Sequence, residues 1–393
     1  MVRTHSEVFT SLAQPSPRSN GLDTLRSLAI LSVIVFHVYA YHGSAFDGSG
    51  GLPAALLPAA RMGWAGVDLF FVLSGYLIGA QLLRPYLAGQ RPGLWSFYRN
   101  RFYRVLPAYA VVLALYYFLP VWSEYYPGHL SPLWEFFTFT WNLIVDYRAF
   151  SHVWSLCIEE HFYLLLPLIV LTTMRKPSLR KTAMVLGGLV LFGICIRAYF
   201  LFHLLRPLER AGEPFGAEYM KFIYYPTYSR LDGLLAGVTL ALVKTFRPFW
   251  WSAIARRGHM LTGLGLALAG VALYLLKDRT EFASGAAAVG TVIGFPVLSA
   301  GLALLVASAL STNGLLRIKV PGAKLIATLA YSLYLTHKEL IHLVDLSFPV
   351  IAQAGRWQWL GLYAICCLVV AATLYLCVER PFLILRDRRP VLR

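Results

Sequence analysis

Residues 22–41 read LDTLRSLAILSVIVFHVYAY, a stretch that is long and apolar enough to cross a bilayer as one helix. It contains Arg26 and His37, which lie eleven positions apart. Eleven residues make about three helical turns, so the two side chains share one face, about 16 Å apart along the axis. Placing an arginine inside a membrane span costs roughly 2.5 kcal/mol or more of insertion free energy. The presence of Arg26 therefore requires an explanation. A snorkelling arginine and a packed core histidine would be the structural explanation, but their shared face favours a functional pair.

The composition of the chain is that of a membrane protein. Of its 393 residues, 58% are hydrophobic and 14% are charged, whereas soluble domains carry about 25% charged residues. Apolar stretches recur along the whole length, and we predict an all-α, polytopic membrane protein with about ten transmembrane helices. The predicted spans are residues 22–41, 63–83, 105–122, 153–173, 182–204, 229–245, 260–276, 285–310, 323–346 and 357–378.

The net charge of +16 follows the predicted topology. Clusters of lysine and arginine fall in alternate loops, as the positive-inside rule requires when both termini are cytoplasmic. The basic charge therefore indicates a lipid bilayer and no nucleic-acid partner. We divide the chain into a flexible N-terminal tail (residues 1–20), a transmembrane domain (21–380) and a basic cytoplasmic tail (381–393).

In this topology, ionisable side chains from several spans fall at a similar depth in the outer half of the membrane. They are His37, Asp68, Glu159, Glu160, Arg230, Asp232 and His337. Charged groups at that depth must face protein or a water-filled cavity, so a shared cavity indicates an active site or a transport site. A histidine is a suitable general base, and a carboxylate such as Asp68 or Glu159 would orient its ring. The alternative is structural pairing, for example of Arg230 with Asp232.

Arginines cluster where the chain enters the third predicted span. The stretch SFYRNRFYRVLPAY carries Arg99, Arg101 and Arg104 with aromatic residues between them. Arg101 and Arg104 are three positions apart and therefore share a helix face. Guanidinium groups bind phosphate through two parallel hydrogen bonds, which makes these arginines candidates for holding a phosphorylated ligand. Plain positive-inside charge is the alternative explanation.

Seven segments, taken in order, resemble the acyltransferase 3 family of integral membrane acyltransferases. They are LDTLRSLAILSVIVFHV, GVDLFFVLSGYLI, FYRNRFYRVLPAY, VWSLCIEEHFYLLLP, SRLDGLLAG, YSLYLTHKELI and VERPF, and together they extend over nearly the whole chain. The arginine–ten residues–histidine pattern of that family matches Arg26 and His37. Its paired-arginine pattern matches Arg101 and Arg104, and the glutamate of its WSLxxE stretch matches Glu159.

The resemblance implies an acyltransferase that takes its acyl group from cytoplasmic acyl-CoA, usually acetyl-CoA. The acceptor would be a hydroxyl of a surface glycan or of a secondary metabolite such as a macrolide. In this interpretation Arg26, Arg101 and Arg104 bind the donor, and His37 takes the proton from the acceptor hydroxyl. Candidates for stabilising the oxyanion or binding the acceptor are Glu160, Arg230, Asp232, His337 and Tyr76. Direct transfer and an acyl-histidine intermediate are both left open.

Two other functions are left open. One is the same chemistry with a longer donor such as succinyl-CoA. The other is a proton-coupled transporter that uses the same polar groups, although no internal repeat supports it. All five cysteines lie in predicted spans without a CxxC pair, so we expect no metal site. The expected location is a bacterial cytoplasmic membrane, and a second copy of the chain is left open as a partner.

Overall fold

The computed structural model describes residues 19–46, 57–119, 130–145, 149–174, 178–277, 285–354 and 356–388. These residues form helices and no β-strand, which confirms the all-α prediction. Within these ranges, seven helical stretches are long and apolar enough to cross a membrane, so the chain is an integral membrane protein. They cover Asn20–His42, Ala65–Ala88, Ser151–Met174, Arg180–Arg210, Gly258–Leu276, Ala286–Ala309 and Trp357–Arg388.

Each of the ten predicted spans overlaps a helix, although residues 120–122 of the third span lie outside the described residues. These helices are α1 (Asn20–Phe46), α2 (Ala65–Leu83), α3 (Leu94–Phe118), α4 (Trp154–Met174), α5 (Leu179–Phe200), α6 (Asp232–Phe246), α7 (Gly258–Leu276), α8 (Phe295–Ala309), α9 (Ala323–Ser347) and α10 (Arg356–Leu374). Helices α3, α6 and α9 are not among the seven stretches, because α6 has only 15 residues and the other two carry several charged side chains. The count of about ten spans and the cytoplasmic location of both termini stay predictions.

Shorter helices connect or extend these elements. They are Leu57–Arg61, Leu133–Phe137, Trp141–Ile144, Arg206–Arg210, Gly216–Tyr219, Pro248–Ala255, Gly285–Val289, Pro349–Ala354 and α11 (Arg380–Arg388). Helix α11 occupies most of the predicted basic tail, which is therefore helical as far as residue 388. The predicted N-terminal tail lies outside the described residues up to residue 18.

Helix α2 packs closely against α1 and α6 through glycines. A Cβ atom on Gly66 would lie 2.4 Å from the carbonyl oxygen of Ala29 in α1. A Cβ atom on Gly237 of α6 would lie 2.2 Å from the carbonyl oxygen of Val72 in α2. Small residues are common at membrane helix contacts because they let two backbones approach each other. These contacts set the rotation and the axial position of α2, which supplies one wall of the candidate site.

Candidate active site

A cavity of about 410 Å³ lies between the first turns of α1 and helices α2, α3, α4 and α9. Helix α2 lines it with residues three or four positions apart, from Val67 through Phe70, Ser74 and Leu77 to Gln81. Because this spacing places the side chains on one helix face, the cavity follows α2 for about 21 Å. The cavity is therefore elongated along α2, and we refer to it below as the channel.

Three arginines line one end of the channel, namely Arg26, Arg101 and Arg104. Arg104 forms an ion pair with the buried carboxylate of Glu379. Arg101 has neither a hydrogen bond nor an ion pair with any residue in the described ranges, and its buried Nε atom has no partner there. Its guanidinium lies 5.5 Å from the centroid of the Tyr163 ring. Arg101 is therefore the arginine that is available to an anion in the channel, whereas Arg104 is held by the protein.

One face of α4 lines the middle of the channel with Ser155, Glu159 and Tyr163, which follow one another at one-turn intervals. The Tyr163 hydroxyl donates a hydrogen bond of 2.7 Å to Oε2 of Glu159 and also contacts the Ser74 hydroxyl of α2. The Ser155 hydroxyl lies 2.5 Å from the hydroxyl of Tyr334 in α9. The predicted carboxylate of Glu159 thus belongs to the channel wall, where the Tyr163 hydroxyl sets its orientation.

Beyond the other end of the channel, His37 of α1 meets His337 of α9. The Nδ1 atom of His37 lies 3.1 Å from Nε2 of His337 and 3.0 Å from the carbonyl oxygen of Val33. The Nδ1 atom of His337 lies 3.0 Å from the carbonyl oxygen of Leu333 and 2.9 Å from that of Tyr334. The tertiary fold therefore places two of the predicted site residues, 300 positions apart, in direct contact.

These contacts assign the neutral tautomer of each ring. A carbonyl oxygen can only accept, so the proton of His337 is on Nδ1 and its Nε2 is an acceptor. His37 then directs its Nδ1 proton toward His337 and the Val33 carbonyl, and its own Nε2 keeps a free lone pair. A histidine nitrogen in this state can take a proton from a hydroxyl, which is the property that a general base requires.

The histidine pair lies about one helical turn beyond the channel. On α9 the last channel residue is Tyr334, three positions before His337. On α2 the channel ends at Val67. A Cβ atom on the adjacent Gly66 would lie 3.0 Å from a methyl group of Val33 in α1, so Val33 is level with this end of the channel. His37 follows Val33 by four positions, which is about 6 Å along the axis. His37 is therefore not part of the channel wall and lies about one helical turn beyond its end.

A third histidine, which the sequence analysis did not identify, lies beside this pair. The ring centroids of His152 and His337 are 5.5 Å apart. The Nε2 atom of His152 lies 3.3 Å from the Leu335 carbonyl oxygen, and its buried Nδ1 atom has no hydrogen-bond partner among the described residues. His152 immediately precedes the predicted span 153–173, and that position was the only signal available for it.

Four other predicted residues lie away from the histidine pair, namely Asp68, Tyr76, Arg230 and Asp232. Nη2 of Arg230 donates to both carboxylate oxygens of Asp68 at 3.0 and 3.1 Å, and Arg197 donates to those of Asp232 at 2.8 and 3.2 Å. The Tyr76 hydroxyl accepts a hydrogen bond of 3.0 Å from Lys244. The ring of His37 is therefore oriented by Val33 and His337, and not by either of the expected carboxylates.

These ion pairs also replace the pairing of Arg230 with Asp232 that the sequence left open. The guanidinium of Arg230 lies 3.7 Å from the centroid of the Phe295 ring, inside a buried aromatic cluster. Arg197 of α5 is completely buried. Its position inside a predicted span was the sequence feature that could have identified it, because an arginine in the membrane is energetically costly. Glu160 adjoins Glu159 on α4 and makes no hydrogen bond within the described part of the chain.

Asp68→Ala is expected to lower the free energy of unfolding by about 3–5 kcal/mol, because it leaves the Arg230 guanidinium buried without its carboxylate. Both side chains are nearly inaccessible to solvent. The measurement is the unfolding of purified protein in detergent. The control is Asp387→Ala, which removes an exposed ion pair with Arg386 and should change stability little. Unchanged stability together with lost activity would instead give Asp68 a functional role.

The family model of the acyltransferase domain matches residues 19–378. That range contains every residue of the channel wall and both members of the histidine pair. The chain therefore belongs to the acyltransferase 3 family.

The curated relatives are longer than this chain. O-acetyltransferase OatA of Staphylococcus aureus is 26% identical over 349 residues, which are 83% of this chain and 51% of that protein. A putative O-acetyltransferase of Staphylococcus aureus strain COL is 28% identical over 236 residues, which are 57% of this chain and 34% of that protein. The chain thus spans about half the length, or less, of these relatives. No solved structure matches it.

Proposed function

We propose that this protein is an O-acetyltransferase that moves an acetyl group from cytoplasmic acetyl-CoA to a hydroxyl of a glycan sugar. The observation that carries the proposal is the channel that leads from Arg101 toward the His37–His337 pair. The names of the relatives, an O-acetyltransferase and a putative O-acetyltransferase, support an acetyl group and an oxygen acceptor. A secondary metabolite as acceptor and succinyl-CoA as donor are the alternatives within the same chemistry.

The channel suits a donor that is anionic at one end and slender along its length. Its arginine end offers the unpartnered guanidinium of Arg101, which can bind phosphate. Its wall is largely apolar beyond Glu159 and ends near Val67 and Tyr334. A pantetheine arm extended along this wall would carry its thioester to the end of the channel, next to the histidine pair.

In the proposed reaction, Nε2 of His37 takes the proton from the acceptor hydroxyl while the hydroxyl oxygen attacks the thioester carbonyl carbon. The tetrahedral intermediate collapses as the carbon–sulfur bond breaks, and the thiolate of CoA receives the proton from the imidazolium. His337 accepts a hydrogen bond from Nδ1 of His37, so it would stabilise the imidazolium while the charge exists. An acetyl-His37 intermediate is the alternative route.

The acceptor would approach from the side of His37 that is opposite the channel. Past the histidine pair, Lys338 of α9 places its ammonium 5.8 Å from the Tyr41 ring centroid and 2.5 Å from the Ser151 hydroxyl. The rings of Tyr41 and His342 lie 4.6 Å apart. Aromatic rings next to hydrogen-bonding groups suit a sugar, whose faces are apolar and whose rim is polar.

In the test, purified full-length protein in nanodiscs is incubated with acetyl-CoA that is radiolabelled in the acetyl group. The incubation is done with and without a mixture of cell-surface glycans. Alkali-labile label in the glycan supports the proposal, whereas label in a small metabolite would select that acceptor class. Labelled protein without acceptor would favour the acyl-histidine route. Absence of binding, hydrolysis and transfer would refute the proposal, and uptake of label into sealed liposomes would favour a transporter.

His337→Phe is expected to lower kcat about tenfold and to leave the KM for the donor unchanged, because it removes one hydrogen bond of about 1–1.5 kcal/mol that positions His37. His337→Gln, which keeps an acceptor atom, should restore part of the rate. The measurement is steady-state kinetics of acetyl transfer for the two variants. An equal loss of kcat in the two variants would indicate that His337 acts only by packing, because packing does not depend on a hydrogen-bond acceptor.

A further inference from the structure

A second cavity, of about 540 Å³, lies beside the arginine end of the channel. The first residues of α1, the end of α8 with the turn that follows it, and Lys244 of α6 form its wall. Arg26 and Leu77 line both this cavity and the channel, so the two spaces adjoin at these side chains. We refer to the second space as the side cavity.

The side cavity has an excess of positive charge. Its charged wall residues are Arg26, Lys244 and Arg317 against the single carboxylate of Asp23, which lies 3.9 Å from Arg26. Lys244 donates to the Tyr76 hydroxyl and Arg317 donates to the carbonyl oxygen of Thr312. Neither of these two cations has a carboxylate partner within the described ranges. The start of α1, where the helix dipole is positive, is in the same wall.

The packing around the side cavity makes it a defined part of the fold. A Cβ atom on Gly21 would lie 2.7 Å from the carbonyl oxygen of Ala309 and 2.8 Å from that of Leu316. The beginning of α1 therefore packs directly against the end of α8 and the turn after it. The Lys244 ammonium is held over two rings, 5.6 Å from the Tyr76 centroid and 5.1 Å from that of Trp251.

We propose that the side cavity binds the phosphorylated nucleotide of the acyl-CoA donor, while the acyl arm passes Arg26 into the channel. The inference rests on the proposed function and assigns Lys244 and Arg317 to donor binding. Its chemical basis is the division of CoA into a polyanionic nucleotide and an uncharged arm, which matches a basic cavity that adjoins a mostly apolar channel. Pockets for drug-sized ligands are about 300–1,000 Å³, so a ligand as large as acyl-CoA requires more than the channel alone.

The test compares two donors, acetyl-CoA and S-acetylpantetheine, which has the same arm and no nucleotide or phosphate. Arg317→Gln and Lys244→Gln should each weaken binding of acetyl-CoA about tenfold, the effect of losing one charge-assisted hydrogen bond. Binding of S-acetylpantetheine should not change. Arg317 is exposed, so its replacement should leave the fold intact even if Lys244→Gln does not. The matched control is Lys319→Gln, an exposed lysine that lines neither cavity.

The outcomes separate this inference from the proposed function. If the wild-type protein binds no acetyl-CoA, the proposed function fails and the inference fails with it. If the wild type binds acetyl-CoA and Arg317→Gln binds it equally well, the side cavity is not the nucleotide site. Equal weakening toward both donors, or the same loss in Lys319→Gln, would likewise overturn the assignment. Selective weakening toward acetyl-CoA in the cavity variants supports it.

Discussion

His37→Ala is expected to lower the rate of acetyl transfer by about 10²–10⁴-fold, the usual contribution of a general base. The reason is the hydrogen-bonding state of the ring. Contacts of Nδ1 with His337 and the Val33 carbonyl leave Nε2 as the unprotonated atom, and alanine removes that nitrogen. The measurement is the initial rate of transfer to an acceptor at saturating acetyl-CoA.

Donor binding distinguishes a chemical role of His37 from a structural one. Because His37 lies beyond the channel, the variant should bind acetyl-CoA with nearly unchanged affinity. The control is His203→Ala, since His203 is an exposed histidine that contacts the Tyr199 ring and is outside the channel. A variant of His37 that turns over at the wild-type rate would remove this residue from the mechanism. Loss of donor binding together with the rate would show damage to the fold.

Arg101→Gln is expected to raise the KM for acetyl-CoA about 10–100-fold, because hydrogen bonds to charged groups contribute about 1.5–3 kcal/mol. Arg101 lines the channel and has neither a hydrogen bond nor an ion pair within the described residues, so its replacement breaks no such contact there. The KM for the acceptor should not change. Steady-state kinetics with each substrate varied in turn measures both constants.

The neighbouring arginines provide the comparison. Arg99→Gln is the matched control, since Arg99 belongs to the same basic cluster and does not line the channel. Arg104→Gln, unlike Arg101→Gln, is expected to reduce the stability of the protein, because it leaves the buried Glu379 carboxylate without its cation. A larger effect on the acceptor KM than on the donor KM in Arg101→Gln would place the donor elsewhere. An equal effect of Arg99→Gln would indicate nonspecific attraction by surface charge.

The sequence alone was sufficient to predict the positions of the long helices. Each predicted span overlaps a helix of the structure, because the length and hydrophobicity of a membrane span are local properties. Helical periodicity likewise placed Arg101 and Arg104 together, and both line the channel. The family was also evident from motifs in the chain, and the match over residues 19–378 confirms it.

The partners of the buried polar groups could not be predicted in this way. Asp68 pairs with Arg230 across 162 positions, Arg104 with Glu379 across 275, and His37 with His337 across 300. Sequence patterns predict a helix and a membrane depth for each residue, but the same depth is predicted for several carboxylates and cations. Which of them meet depends on how each helix is rotated and shifted against its neighbours.

The sequence by itself therefore determined an all-α membrane protein of the acyltransferase 3 family, with a histidine and an arginine on one face of its first helix. The tertiary structure decided that His37 contacts His337, that the buried Nε atom of Arg101 has no partner among the described residues, and that Asp68 pairs with Arg230. The physical reason is that hydrophobicity and helix period act over a few turns. The close backbone contacts at glycines such as Gly66, which set helix rotation, exist only once the helices have packed together.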